Sequence, residues 1–402
     1  MSSTAIPERT PWGLVVLLGS LTAMGALSID MYLPGLPSIG ADLHTSASQA
    51  QATVAAFLAG MAVGQIVYGP ASDRVGRKPP ILFGVTIYVL ASVACALATS
   101  PVMLISARFV QALGACAGAV VARAAIRDRF NHTETARMLS LMMLINGMAP
   151  ILAPVVGGVL VTVSGWRVTF WVMTAFGLTV GTAALLRMRE SRSAATLAQA
   201  QSESALRAYL ALLRQPRLIG YALAGALNGA TLFTYISTSP ELLIKTYGVP
   251  PWAFGLIFGT NALGLISSGQ INRLLLRRQT PDAVLARAGL VAVGFAVLLA
   301  IFAFTGIGGR WTVLPTLFCI LATYGFMQGN TMAGALSVDP TRAGSASALM
   351  GGCTFTIGAL ASAAAGALHD GTPRPLAFVL LVSLIGSALA IRLLALPKAP
   401  LP

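Results

Sequence analysis

With 402 residues, 56% hydrophobic and only 9% charged, and a mean hydropathy of +0.79, this chain cannot be a water-solvated globule. A soluble domain carries roughly 25% charged residues because its surface must be hydrated. The net charge of +14 does not indicate nucleic-acid binding, since the basic residues form no single face or arm but sit in short clusters between apolar runs, as topology signals do.

A spanning helix needs about 20 apolar residues. A short polar tail with Glu8 and Arg9 leads into the first such run, 12–33. Ala23-Met24-Gly25-Ala26 loosely resembles a signal-peptidase site, but cleavage there would remove the most informative helix, so an uncleaved anchor is expected. The runs that follow are 52–71, 80–98, 102–123, 138–161, 166–187, 216–239, 252–272, 283–305, 311–334, 343–366 and 375–396. The expected fold class is therefore an all-α integral membrane protein of twelve transmembrane helices. Twenty-one of the 26 Lys and Arg residues fall in loops and tails on the side of the N-terminus and four on the other. That imbalance predicts cytoplasmic termini. The polar stretch 188–215 divides the spans six and six, so the expected organisation is a bundle over 1–187, a cytoplasmic linker and a second bundle over 216–402.

The halves look related. Span two ends in Gly69-Pro-Ala-Ser-Asp-Arg-Val-Gly-Arg-Lys78, and span eight in Ser268-Gly-Gln-Ile-Asn-Arg-Leu-Leu-Leu-Arg277. Two related six-helix bundles around a midplane site is a transporter architecture. Within the first of these segments, Gly69 and Gly76 would allow close backbone approach. Asp73 could accept hydrogen bonds from a helix N-terminus, and Arg74, Arg77 and Lys78 would anchor the loop. The segment reads either as a topology anchor or as a gate that latches the inner ends of the bundles. Asn272 replaces the acid in the second half.

Asp30 is the sharpest chemical feature, because an acid inside a span is costly and usually faces a cavity or a partner. A protonatable acid is what proton coupling needs; the plainer reading is a helix-end cap beside Pro34. Arg108, at a similar depth on span four, is its natural partner, and it shares a helical face with Gln111. Pro150, Pro154, Gly157 and Gly158 in span five combine helix-bending with close-packing residues. Tyr32, Asn228, Phe233, Tyr235, Tyr324 and Gln328 form a set from which a mixed apolar–polar cavity could be built. Glu241, at the outer end of span seven, is a further candidate charge.

The four cysteines read as small core residues rather than disulfides or metal ligands. There is no Walker A sequence, no HExxH and no Ser–His arrangement within the membrane. Neither an enzyme nor a metal site is expected, and protons are the only coupling species in view.

At these residues the chain resembles the major facilitator superfamily, in particular its twelve-span drug:H⁺ antiporter group. The 69–78 segment resembles the superfamily's loop 2–3 motif, and Arg108-Phe-Val-Gln-Ala-Leu-Gly114 its span-four motif. Span five resembles the antiporter motif, with Ala153-Pro154 in place of Gly-Pro. Ser28-Ile-Asp-Met-Tyr-Leu-Pro-Gly-Leu-Pro37 and Arg342-Ala-Gly-Ser-Ala-Ser-Ala-Leu349 are similar to the bicyclomycin-resistance (Bcr/CflA) branch. The resemblance implies two pseudo-symmetric bundles and proton-driven efflux of small, mostly apolar drug-like compounds from a bacterial inner membrane. It also implies that Asp30 is contested by proton and substrate, that Arg108 takes part in coupling, and that Arg127 pairs with Asp73. A monomer in the lipid bilayer is expected. The rival readings are export of an amino acid or short peptide and, of another class, a membrane-embedded lipid-handling protein or enzyme.

Overall fold

The apolar runs become helices whose ends are set by local chemistry. The computed structural model describes residues 12–130, 132–192, 197, 205–339 and 342–396. Its long helices are α1 (Trp12–Asp30), α2 (Ala47–Val75), α3 (Lys78–Ala96), α4 (Pro101–Arg129), α5 (His132–Ser164) and α6 (Arg167–Arg187). They continue with α7 (Pro216–Pro240), α8 (Pro251–Leu275), α9 (Pro281–Thr305), α10 (Arg310–Val338), α11 (Ala343–Ala367) and α12 (Arg374–Ala390). Pro at the first helical position opens α4, α7, α8 and α9, where its missing N–H would be unpaired anyway. Side chains of Ser46, Ser100 and Thr280 cap α2, α4 and α9 by accepting from Gln49, Met103 and Ala283 backbone N–H groups.

Among the described residues, eleven helices are long and apolar enough to cross a membrane. The other predicted span, α8, has 25 residues but is diluted by Thr260, Asn261, Ser267, Ser268 and Gln270. The chain is a multi-pass membrane protein. The expected linker, 188–215, lies partly outside the described residues; its described portion includes a short helix, Ala205–Leu212.

Packing repeats between the halves. In the first, α1 packs on α4, α5 and α6, α2 on α4, and α3 on α4 and α6; in the second, α7 packs on α10, α11 and α12, α8 on α10, and α9 on α10 and α12. The halves meet along two seams, α2 with α11 and α5 with α8, which the same pseudo-twofold relation exchanges. This is the twelve-helix, two-bundle architecture read from the sequence.

The α5–α8 seam is tight at the end bearing the first loop (Leu33–Asp42), hereafter the first-loop end. A Cβ added to Gly158 would lie 2.5 Å from the Pro251 carbonyl oxygen, and one at Gly255 2.6 Å from Val155 Cα. Farther along, the gap widens to 3.6 Å between Gly259 and Ile151 O, and 3.8 Å between Gly147 and Ile266 Cδ1. The helices therefore diverge toward the opposite, second-loop end, whereas α2 and α11 stay close as far as Gln65 and Gly351. Helix α5 continues through Pro150 and Pro154 without interruption. Gly157 meets the Met31 carbonyl so closely that any side chain would overlap it. The antiporter-like motif thus packs one face on α1 and another on α8.

Candidate functional site

Asp30 ends α1 in a fully packed setting, 3% exposed, and its Oδ1 finds no protein partner. Ser28, two residues earlier, is tied down by bonds to the Met24 carbonyl (2.7 Å) and the Tyr88 hydroxyl (2.8 Å). The reading of Asp30 as a simple helix-end cap at the interface does not fit this burial. Across the divide between halves, Asp30 lies within electrostatic range of Tyr235. The Tyr235 hydroxyl accepts from Asn261 Nδ2 at 2.6 Å, and its ring stacks on Phe258 at 5.5 Å. The Asn261–Tyr235 bond joins α8 to α7 and has no signal in the sequence beyond a polar residue inside an apolar run.

Arg108 is fully buried and does not pair with Asp30. Its Nη1 donates to Gln111 Oε1 at 2.5 Å, and Gln111 Nε2 donates to Ser92 Oγ at 2.8 Å. The guanidinium carbon lies 4.2 Å from the Tyr32 ring centroid, 4.3 Å from Phe57 and 5.7 Å from Phe170. This aromatic cage replaces the expected carboxylate, because the helical rise sets depth but not the direction each side chain takes. A desolvated guanidinium over a ring gains about 2 kcal/mol, less than a buried charge needs by itself. Nε and Nη2 of Arg108 remain without protein partners. Tyr32, placed in the cavity set, instead forms one wall of the cage, with its hydroxyl 3.0 Å from Thr53 Oγ1.

The remaining cavity candidates divide. Asn228 and Tyr235 share a face of α7; Asn228 is buried, and its Nδ2 lacks a partner. Phe233 faces the other way, against Phe355 of α11 at 5.3 Å. Tyr324 and Gln328 are half-buried on α10, and Gln328 Oε1 is unpartnered. Glu241 lies in the continuation of α7 beyond Pro240, 3.4 Å from Lys245 and 3.8 Å from His369, and so belongs to a surface cluster at the first-loop end.

The loop motif differs in detail from its sequence reading. Residues 69–75 are the last turns of α2, and Gly69 has open space where close approach was expected. Only Gly76 needs its glycine, with φ +102° and the Glu190 carboxylate against it. Asp73 does not cap a helix. It pairs with Arg77 Nη1 at 2.6 Å, and Arg77 Nε pairs with Asp128 at 2.6 Å. The N-terminus of α3 is capped by Glu190, which accepts from the backbone N–H groups of Arg77 (2.8 Å) and Lys78 (3.1 Å). Burial pushes the Glu190 carboxyl up, but backbone N–H bonds from Arg77, Arg192, Lys78 and Ser191 outweigh it and hold it below its usual value. The side chain of Arg127 lies outside the described residues. Arg192 donates to the Arg74 carbonyl, and Lys78 Nζ to that of Leu185 at 2.9 Å. In this conformer the motif thus joins α2, α3, α4 and α6 of one half. Asp128 and Glu190 are acids inside otherwise basic segments, which was the one available sequence signal for them. In the second half, Asn272 accepts from Asn330 Nδ2 at 3.0 Å, linking α8 to α10 with neutral amides.

A family model described as Major Facilitator Superfamily matches residues 18–363. Similar curated proteins include the "Uncharacterized MFS-type transporter YdgK" of Bacillus subtilis, 33% identical over 389 residues and covering 94% of each chain. The "Bicyclomycin resistance protein homolog" of Haemophilus influenzae is 27% identical over 383 residues, covering 95% of this chain and 96% of that one. "Multidrug resistance protein MdtL" of Shigella dysenteriae is 31% identical over 332 residues, 83% of each. Among solved structures, a D-xylose–proton symporter matches with TM-score 0.75 at 13% identity, over 96% of this chain and 98% of that one. At that identity the match concerns the fold alone.

Proposed function

From the premise that this chain belongs to the major facilitator superfamily, we propose that it exports small, mostly apolar compounds from the bacterial cytoplasm in exchange for protons. Its similarity to a bicyclomycin-resistance homolog and to a multidrug-resistance protein supports the substrate class. The observation that carries the coupling is Asp30: a buried acid with an unpartnered oxygen, within electrostatic range of Tyr235 in the other half. Intramembrane acids of this kind mark proton and substrate pathways. Because Arg108 is held in its aromatic cage, Asp30 has no fixed cation among the described residues and is available to a proton or to a substrate donor.

The excess of Lys and Arg on one side supports cytoplasmic termini in the inner membrane. With that orientation the tight first-loop end faces outward, and the diverging α5–α8 seam faces the cytoplasm. Asp30 takes a proton while the outer end is open, the halves rock, and the proton leaves to the cytoplasm as substrate binds. Tyr235, Asn228 and Gln328 offer hydrogen-bonding groups to that substrate, with Phe258 as an apolar wall.

Asp30→Asn should abolish proton-driven export in proteoliposomes after a pH jump, with the protein still inserted and folded. Undiminished uphill transport by that variant would overturn the assignment. A resistance profile of overexpressing cells, with and without a protonophore, identifies the substrates.

A further inference from the structure

The described part of the linker contains a helix, Ala205–Leu212, for which transport supplies no role. One face is packed: Leu212 joins Leu218 at the start of α7 and Ala346 at the start of α11 in a small separate core, and Ala208 is also buried. The opposite face is left uncovered by the described residues. Leu206, Leu210 and Leu213 are 67%, 50% and 47% exposed. A 2.9 Å bond from Leu213 N to the Tyr209 carbonyl extends the helical path by one residue. The three leucines therefore form one stripe at i, i+4 and i+7. At about 100° per residue, Arg207 and Arg214 fall on the same flank of that stripe.

The depth of this helix is set by its connection. Only Leu213, Arg214 and Gln215 separate it from Pro216, where α7 begins. At the same level Arg217 donates to the Ala395 carbonyl at 3.2 Å. An apolar stripe parallel to the helix axis, flanked by arginines, at the level where a span enters the bilayer, is how a helix lies in the headgroup region. The arginine stems can lie along acyl chains while their heads reach phosphate. From Arg187 to Arg217 the chain carries six arginines against Glu190 and Glu203, which complements an anionic surface. We propose that Ala205–Leu212 is an interfacial helix that docks its leucine stripe into the bilayer and its arginines onto anionic phospholipid headgroups beside α7 and α11.

The test uses the full chain with Cys95, Cys116, Cys319 and Cys353 replaced, and Leu210→Cys carrying an environment-sensitive fluorophore. The protein is placed in nanodiscs of phosphatidylcholine alone or mixed with phosphatidylglycerol. Expected are quenching by lipids brominated in the acyl chain and a several-fold drop in quenching by aqueous acrylamide when phosphatidylglycerol is present. Arg207→Gln with Arg214→Gln should remove the phosphatidylglycerol-dependent part. Free acrylamide access in both nanodiscs would overturn the proposal by leaving the stripe to a soluble partner. Lipid quenching indifferent to phosphatidylglycerol and to the arginine changes would overturn the anionic recognition, and a label shielded from both quenchers would mean that the linker itself covers the stripe. The readout needs no substrate or proton gradient, so its failure is distinct from failure of the transport reading.

Discussion

Closure of the first-loop end depends on main-chain contact between α5 and α8, and Gly255→Ala tests it directly. The added Cβ would lie 2.6 Å from Val155 Cα, 2.7 Å from Val155 N and 2.8 Å from the Pro154 carbonyl carbon. Carbon atoms pack best at about 3.5–4.0 Å, so the helices must part by about 1 Å at this level. Moving a side chain aside gives no relief, because the three nearest atoms all belong to backbone. Overpacking of this kind costs about 1–3 kcal/mol, and only the conformer closed at this end bears it. The form open at this end should therefore gain about 5–150-fold in population, the range such energies give. A reporter cysteine at Ser237 suits the assay, since that residue is fully buried beside the surface cleft formed by Gln51, Pro240 and Glu241. In nanodiscs, with the native cysteines replaced, maleimide labelling of this cysteine should accelerate by that factor in Gly255→Ala. Gly259→Ala, one turn away and 3.6 Å from its nearest neighbour, should label at the parental rate. Equal rates in the two variants, with both melting as the parent does, would refute the account of closure.

Other changes have definite expected outcomes. Arg77→Gln removes the guanidinium from Asp73 and Asp128 and should cost about 1.5–3 kcal/mol, read as a lower melting temperature. Glu190 contributes through pH. Its folded-state pKa lies below the unfolded value of 4.5, so its stabilisation is complete above that value and is lost as pH falls through the folded one. Glu190→Gln should lower the melting temperature at pH 7 and flatten its decline between pH 5 and the folded pKa; parallel curves would contradict the capping role. Arg108→Lys keeps the charge but loses the flat guanidinium held over Tyr32 and Phe57, at a cost of about 0.5–2 kcal/mol in melting experiments.

Much of the fold was legible because spanning helices announce themselves by length and hydropathy. Even α8, diluted by Asn261 and its polar neighbours, was evident from its length and from the basic loop that follows it, with Arg273, Arg277 and Arg278. The rare intramembrane charges were legible for the same reason: Asp30 and Arg108 stand out against an apolar background. Their relation was not. Rise per residue placed them at similar depth, but azimuth and tertiary packing turned Arg108 into the cage of Tyr32, Phe57 and Phe170. The motif at 69–78 was recognised, while its partners were not, since the Glu190 contact joins residues 113 positions apart. Local spacing therefore assigned Asp73 the capping role that Glu190 fills.

The two halves share a packing pattern but not the chemistry that locks it. Corresponding contacts near the second-loop end are ionic in the first half, with Arg77 between Asp73 and Asp128, and amide to amide in the second, between Asn272 and Asn330. Glu190 and Lys78 extend the ionic set to α6. These bonds link helices within one half, so breaking them is not required for the halves to rock. The seams between halves are made differently, from glycine contacts whose spacing widens along α5 and α8. Under the proposed rocking, motion centres on this seam, and Asp30 lies beside it, since the carbonyl of the next residue, Met31, packs on Gly157 of α5. On the proposed function, a proton or substrate held at Asp30 would act beside this seam. The charges of the loop motif lie within the first half, where they join α2, α3, α4 and α6.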